Sequence, residues 1–349
     1  MTEIQPAALM RSEIYEQPAV IANLLDSARQ PLTLIAKQAA DCQFTLLAAR
    51  GSSDNASTYG KYLLEGVSGM PTALAAPSLF TLYRQPPNIK HALVIGVSQS
   101  GQSADVVEVL VEARRQGAVT LAVTNTAGSP ITNAAEHVVL LDVGFEQALA
   151  ATKTVTAQCA VYALLAVLLK HDQAIMASLS RLPGHIEHVL NHEAEIAALS
   201  TTWLTATRAA ILGRGFCYGA VQETALKLKE TCYLSAEPYS AADFQHGPLA
   251  MIEAGYPVMT LLNHDATLPT TLDLVKQVKA RGAKVIGVAS DKAAPGVTNE
   301  AQFALDAPSP YLSTIPFIVF SQLFAMHLST SKGYNPDISR GLHKVTVTV

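Results

Sequence analysis

Three serines and two glutamines fall within Ser98-Gln99-Ser100-Gly101-Gln102-Ser103. An apolar run, His91 to Val97, comes just before them. Apolar positions at helical spacing, Val106, Val107, Val109, Leu110 and Ala113, come just after. The pattern predicts a buried strand, a hydroxyl-rich turn and a helix start. A helix start presents open backbone N–H groups and the positive end of its dipole, which suits an anion and above all a phosphate. A serine could also serve only as a helix cap, but one cap needs one hydroxyl. The loop lacks the final glycine of a Gly-x-Ser-x-Gly nucleophile elbow. No lysine follows its glycine, so it is not a Walker loop.

Proton-transfer chemistry has its candidates in the second half of the chain. Glu223, Lys227 and Glu230 share one face of a predicted helix, beside an apolar stripe of Val221, Ala225, Leu228 and Cys232. By spacing alone this reads as an exposed, salt-bridged face. Downstream, His246 precedes Gly247-Pro248 in a tight turn, where an imidazole is well placed to move a proton. At the end of the chain, alternating Val345, Val347 and Val349 predict an extended tail that packs down and holds Lys344. His185, His188 and His192 are at helical spacing but offer no closed ligand set, so no metal is expected.

The elements that must position these groups alternate between strand and helix. In the first half, strands are expected at Phe44–Ala49, Thr72–Ala76, His91–Val97, Thr120–Thr124 and His137–Leu141. Helices are expected over about Ala56–Ser68 and 104–116, the latter ending at Gly117. The junction Arg50-Gly51-Ser52-Ser53-Asp54-Asn55 is a second hydroxyl-rich strand–turn–helix passage. Alternation of this kind predicts an α/β fold with a doubly wound parallel sheet. The second half repeats the plan. Ala210-Ile211-Leu212-Gly213-Arg214-Gly215 matches Leu47-Ala48-Ala49-Arg50-Gly51, and Arg281 to Val288 matches Gln116 to Val123 at nearly the same offset. Where the first copy has Ser98-Gln99-Ser100-Gly101, the second has Leu262-Asn263-His264-Asp265, so one phosphate site is expected, in the first copy. The expected organisation is a helical lead over 1–40, α/β units at 41–171 and 201–335, a helical connector at 172–200, and a tail at 336–349.

Composition narrows the classes. The chain has 349 residues, 49% apolar and 15% charged, with a net charge of -4. No basic field is present to hold nucleic acid or an anionic membrane. The longest apolar run, Val155 to Leu169, falls short of a span of roughly 20 residues and reads as a core helix. No signal peptide is expected, and Cys42, Cys159, Cys217 and Cys232 form no Cys-x-x-Cys pair, which suits reduced thiols in a cytoplasm.

Four ordered motifs, Ser98-Gln99-Ser100-Gly101, Ala225 to Glu230, His246-Gly247-Pro248-Leu249 and the tail carrying Lys344, resemble the sugar isomerase (SIS) family. Within it they are most similar to the isomerase half of glutamine-dependent glucosamine-6-phosphate synthase. The resemblance runs from the strand near Phe44 to the C-terminus and implies two tandem SIS domains. By it, Ser53, Ser98, Gln99, Ser100 and Ser103 hold a sugar phosphate, with Ser52 and Lys227 also on the substrate side. Glu230 moves a proton between C1 and C2. His246, from the neighbouring subunit of a homodimer, opens the ring, and Lys344 acts at the open-chain carbonyl. Ser52 stands for a threonine of the synthase pattern, Gln102 for a glutamate and His343 for an alanine.

The synthase carries an N-terminal glutaminase domain with a cysteine nucleophile. Here Thr2 follows Met1 and a short helical lead precedes the first unit. The chain is therefore expected to lack its own ammonia source and to release ammonia from glucosamine 6-phosphate as a cytoplasmic deaminase. The alternatives are another amino-sugar-phosphate deaminase, a deglycase, an aldose–ketose isomerase, or a non-catalytic sugar-phosphate sensor. Aldose–ketose chemistry needs a positioned carboxylate, an acid–base for ring opening and donors for the developing oxyanion. None of these requires a metal or an organic cofactor.

Overall fold

The apolar runs become strands of two parallel sheets. The structure, a computed structural model, describes residues 6–291, 302–307, 309–338 and 340–341. In chain order, α1 (Ala8–Ser27) and α2 (Arg29–Gln38) lead into β1 (Phe44–Ala48), α3 (Ser52–Leu63), β2 (Thr72–Leu74), α4 (Pro77–Thr81) and β3 (Ala92–Val97). Then come α5 (Ala104–Gln116), β4 (Val119–Thr124), α6 (Pro130–Ala134), β5 (His137–Leu140) and α7 (Lys153–Lys170). Three helices follow, α8 (Gln173–Leu179), α9 (Leu182–Asn191) and α10 (Glu193–Ser200). The second half runs β6 (Arg208–Gly213), α11 (Tyr218–Cys232), β7 (Ser235–Ser240), α12 (Ala241–Phe244), β8 (Pro257–Leu262), α13 (Leu268–Ala280), β9 (Lys284–Ala289), β10 (Gln302–Ala304) and α14 (Thr314–Ser331).

The first sheet is ordered β2-β1-β3-β4-β5 and the second β7-β6-β8-β9-β10, which is the same topology twice. Every strand pair is parallel. The anchors that betray the repeat are glycines in the left-handed region. Gly51 and Gly215 follow β1 and β6 with φ of 57° and 71°, while Gly117 and Gly282 follow α5 and α13 with φ of 81° and 84°. Only glycine takes such backbone without a Cβ penalty, so both copies keep it there.

Two compact units result. Among the described residues, one comprises Ala19–Glu146 with Lys153–Ser180; the other comprises residues up to Pro18, Gln147–Thr152 and the residues from Arg181 to Gly341. In the first, β3 is buried at every position, because helices cover both faces of the sheet. Val94, Ala92 and Leu46 meet Val106, Leu110 and Ala113 of α5 in one apolar layer. The apolar helix α7 is long and apolar enough to cross a membrane by composition, and 83% of it is buried inside the fold. In the second unit the equally apolar α14 packs on α11.

One expectation needs correction. Helix α3 begins at Ser52 rather than near Ala56. Ser, Asp and Asn read as turn residues, but Gly51 takes the cap position and moves Ser52, Ser53 and Asp54 into the first helical turn. Pro18 lies inside α1 and does not interrupt it.

Candidate functional site

In the first sheet the chain leaves β1 toward one side and β3 toward the other. The crevice between the ends of these two strands is the topological switch point, where open α/β sheets bind ligands. Ala48 lies beside Gly96, so the loops that follow, Arg50 to Ser53 and Ser98 to Ser103, leave the sheet side by side. Both end in helix starts, where backbone N–H groups outnumber the intrahelical acceptors.

The hydroxyls of the second loop are not spent on capping. Ser103 occupies the N-cap of α5, yet its side chain makes no cap hydrogen bond. Its Oγ lies 3.0 Å from Ser98 Oγ instead. Ser100 Oγ accepts from the Gln102 N–H at 3.3 Å. Gly101, at φ 67°, leaves no room for a side chain, since a Cβ there would meet Ser129 Oγ at 2.0 Å. Gln99 donates through Nε2 to Glu146 Oε2 at 2.8 Å. Glu146 is buried and also accepts from the Thr154 backbone N–H and hydroxyl at the start of α7. A carboxylate only accepts, so Glu146 fixes which way the Gln99 amide faces. Ser52 and Ser53 lie on the first turn of α3, with Ser53 buried.

The other candidates belong to the second unit. Helix α11 carries a buried charge cluster, which corrects the expectation of an exposed face. Lys227 and Glu223 are fully buried, while the Glu230 side chain keeps 23% exposure. Lys227 Nζ donates to Glu230 Oε2 at 2.6 Å and lies 3.3 Å from Glu223 Oε1. Burial alone would push the ammonium toward neutrality. Glu223 and then Glu230 more than offset this and hold its pKa above the usual lysine range. Helix α14 packs on α11 beside the cluster. Thr224 Oγ1 lies 2.6 Å from Ser321 Oγ, and Ser329 Oγ donates to the Thr231 carbonyl. Glu230 is thus held by one oxygen, near the end of its helix, with its carboxylate partly open.

His246 follows α12, whose Phe244 is anchored in the core. The His246 backbone N–H donates to the Asp243 carbonyl at 3.0 Å, and the ring is exposed. Lys344 lies outside the described residues. Among the described residues no group of three or more His, Cys, Asp or Glu could hold a metal ion.

The family model for the SIS domain matches residues 40–168 and again 204–330. The chain belongs to the SIS-domain family. The glutamine–fructose-6-phosphate aminotransferase (isomerizing) of Methanothermobacter thermautotrophicus is 35% identical over 342 residues, covering 97% of this chain and 57% of that protein. The chain therefore spans little more than half the length of this curated relative. The C-terminal domain of glucosamine-fructose-6-phosphate aminotransferase from Francisella tularensis superimposes with a TM-score of 0.85 at 27% identity, over 95% of this chain and 98% of that one. A glucosamine-6-phosphate deaminase from Thermotoga maritima shares the fold, with a TM-score of 0.75 at 19% identity, over 98% of this chain and 100% of that one.

The two SIS copies differ at their switch points. In the second, Asp265 Oδ1 accepts from the Thr267 N–H at 2.7 Å and its hydroxyl at 2.6 Å, and Oδ2 accepts from Asn263 Nδ2 at 2.7 Å. A carboxylate of the loop itself takes the donors there. The first SIS copy has hydroxyls in place of that carboxylate. Sequence reasoning passed over Glu146 and the buried Asp105. Neither carries a motif, and each acquires its contacts only when the sheet forms.

Proposed function

We propose that this chain is an amino-sugar-phosphate deaminase that converts glucosamine 6-phosphate to fructose 6-phosphate and ammonia. The observation that carries the reading is the Lys227–Glu230 pair, a buried ammonium holding one carboxylate oxygen while the other side of the carboxylate stays open. A positioned carboxylate is what proton transfer between neighbouring carbons needs. In this reading the phosphate is held by Ser53, Ser98, Gln99, Ser100 and Ser103, with Ser52 alongside. Remote phosphate binding supplies the orientation of the sugar.

His246 assists ring opening, which gives the 2-amino aldehyde. Glu230 removes the proton at C2 and returns it to C1, while O1 takes up a proton and the amino nitrogen gives one up, leaving an imine at C2 and a hydroxymethyl group at C1. Water adds to the imine carbon and ammonia leaves, giving the ketose phosphate. Lys227 positions Glu230, and Lys344 acts at the open-chain carbonyl. The sequence match to an isomerizing aminotransferase of fructose 6-phosphate supports the substrate class. A homodimer that shares its sites, located in the cytoplasm, completes the reading.

A panel of glucosamine 6-phosphate, galactosamine 6-phosphate, a fructosamine 6-phosphate and unphosphorylated glucosamine, with coupled ammonia detection, tests it. Glucosamine 6-phosphate should release ammonia and fructose 6-phosphate in equal amounts, and unphosphorylated glucosamine should be a very poor substrate. Interconversion of aldose and ketose phosphates without ammonia would make the chain an isomerase. Tight binding without turnover would make it a sensor.

A further inference from the structure

We propose that Arg50 is a substrate-binding residue of the first SIS copy: tethered to Asp105 through Nε, it gives its terminal amino groups to the substrate phosphate. The inference rests on the phosphate reading above. Arg50 leaves the sheet just after β1, and Asp105 sits in the first turn of α5, after β3. Their ion pair, Arg50 Nε to Asp105 Oδ2 at 2.6 Å, spans the switch point from one loop to the other. Asp105 is 2% exposed and the Arg50 side chain 48%. The pair is therefore anchored at the carboxylate and open at the guanidinium.

A guanidinium carries five N–H donors in a planar fork. Here one is used, and the contact is made from the side rather than by the two parallel bonds of a bidentate pair. Counterbalancing Asp105 alone would not require leaving the fork open. The crevice also has a charge problem that Arg50 answers. Its other donors are neutral hydroxyls and amides, while the carboxylates beside it are Asp105, Asp54 in the first turn of α3, and Glu146, which already accepts from Gln99 and Thr154. Burial raises the Asp54 pKa, and the positive charge of Arg50 acts against that rise. A phosphate dianion entering beside these carboxylates needs a cation close to it. Lysine would supply the charge but could not hold Asp105 and a phosphate oxygen in one plane.

Calorimetric binding of fructose 6-phosphate and of inorganic phosphate tests the assignment on the wild type, Arg50→Gln, Arg50→Lys and the double variant Ser98→Ala/Ser100→Ala. Arg50→Gln should weaken both ligands by about ten- to a hundredfold, the usual loss for a charge-assisted hydrogen bond. In turnover the loss should fall on KM, with kcat nearly kept. Arg50→Lys should recover only part of the affinity. Since Arg50→Gln leaves a buried carboxylate unpaired, the charge-free pair Arg50→Gln/Asp105→Asn is measured beside it and should show the same loss. If Arg50→Gln and the paired variant bind like the wild type while the serine variant is weakened, Arg50 only neutralises Asp105 and the phosphate loop stands without it. If the wild type binds neither ligand, the phosphate reading falls and Arg50 with it.

Discussion

Glu230 and Lys227 show how burial alters the meaning of a residue. A lysine between two glutamates on an exposed helix contributes a few tenths of a kcal/mol to about 1 kcal/mol. The same three groups, two of them fully buried, are a different object. Desolvating them is costly, and replacing such a cluster with apolar residues is often neutral or stabilising. Its retention fits a role in holding Glu230 rather than in holding the fold. This separates two outcomes for Glu230→Gln, which keeps shape and hydrogen bonding but cannot accept a proton. If Glu230 shuttles the proton, kcat should fall by roughly 10²–10⁴-fold while affinity for fructose 6-phosphate is nearly kept, because the proposed phosphate contacts belong to the other SIS copy. If the residue is only half of an ion pair, kcat should hold and the melting temperature should drop. Measuring kcat, ligand affinity and Tm on this one variant decides between them, and near-normal deamination would remove Glu230 from the mechanism.

At the scale of elements, the proposed phosphate loop, Ser98 to Ser103, is a backbone device as much as a set of hydroxyls. Gly101→Ala puts a Cβ at φ 67° and against Ser129 Oγ, so the loop must move even though no donor is deleted. It should cost about 1–3 kcal/mol of stability and weaken phosphate binding, readable as a lower Tm and a smaller stabilisation by added phosphate; unchanged affinity would mean that the loop conformation does not matter to the ligand. The strand, turn and helix start around Ser98 were legible because each writes a local pattern: an apolar run, a hydroxyl cluster, a helical period ending at Gly117. The duplication was legible because Gly51, Gly215, Gly117 and Gly282 occupy backbone that other residues avoid. The supports were not. Glu146 comes to Gln99 from 47 residues away. The burial of Lys227 and Glu223 is set by tertiary packing, and no local pattern announces it. Arg50 stood in plain view beside Gly51, but its meaning depends on Asp105, which only the pairing of β1 with β3 brings near.

At the scale of the whole molecule, the question is which chain completes each site. His246 sits on an exposed turn, backed by Gly247 and anchored through Phe244, in the same unit as Glu230. An exposed imidazole on a rigid turn suits a group that reaches outward, and the proposed reading has it enter the site of a neighbouring subunit. The proposal can be tested without locating the interface. His246→Ala and Glu230→Gln chains should each be inactive alone. In a hybrid dimer of the two, one site combines both defects. The other takes Glu230 from the first chain and His246 from the second, and is intact. With random pairing of equal amounts, half the dimers are hybrids and half their sites work, so about a quarter of the wild-type rate should return. If His246 serves its own chain, every site keeps one defect and no activity returns. Coexpression of differently tagged variants, with hybrids isolated through both tags, makes the outcome readable. Isolated hybrids with no more activity than the parents would place His246 in its own chain's site or outside catalysis.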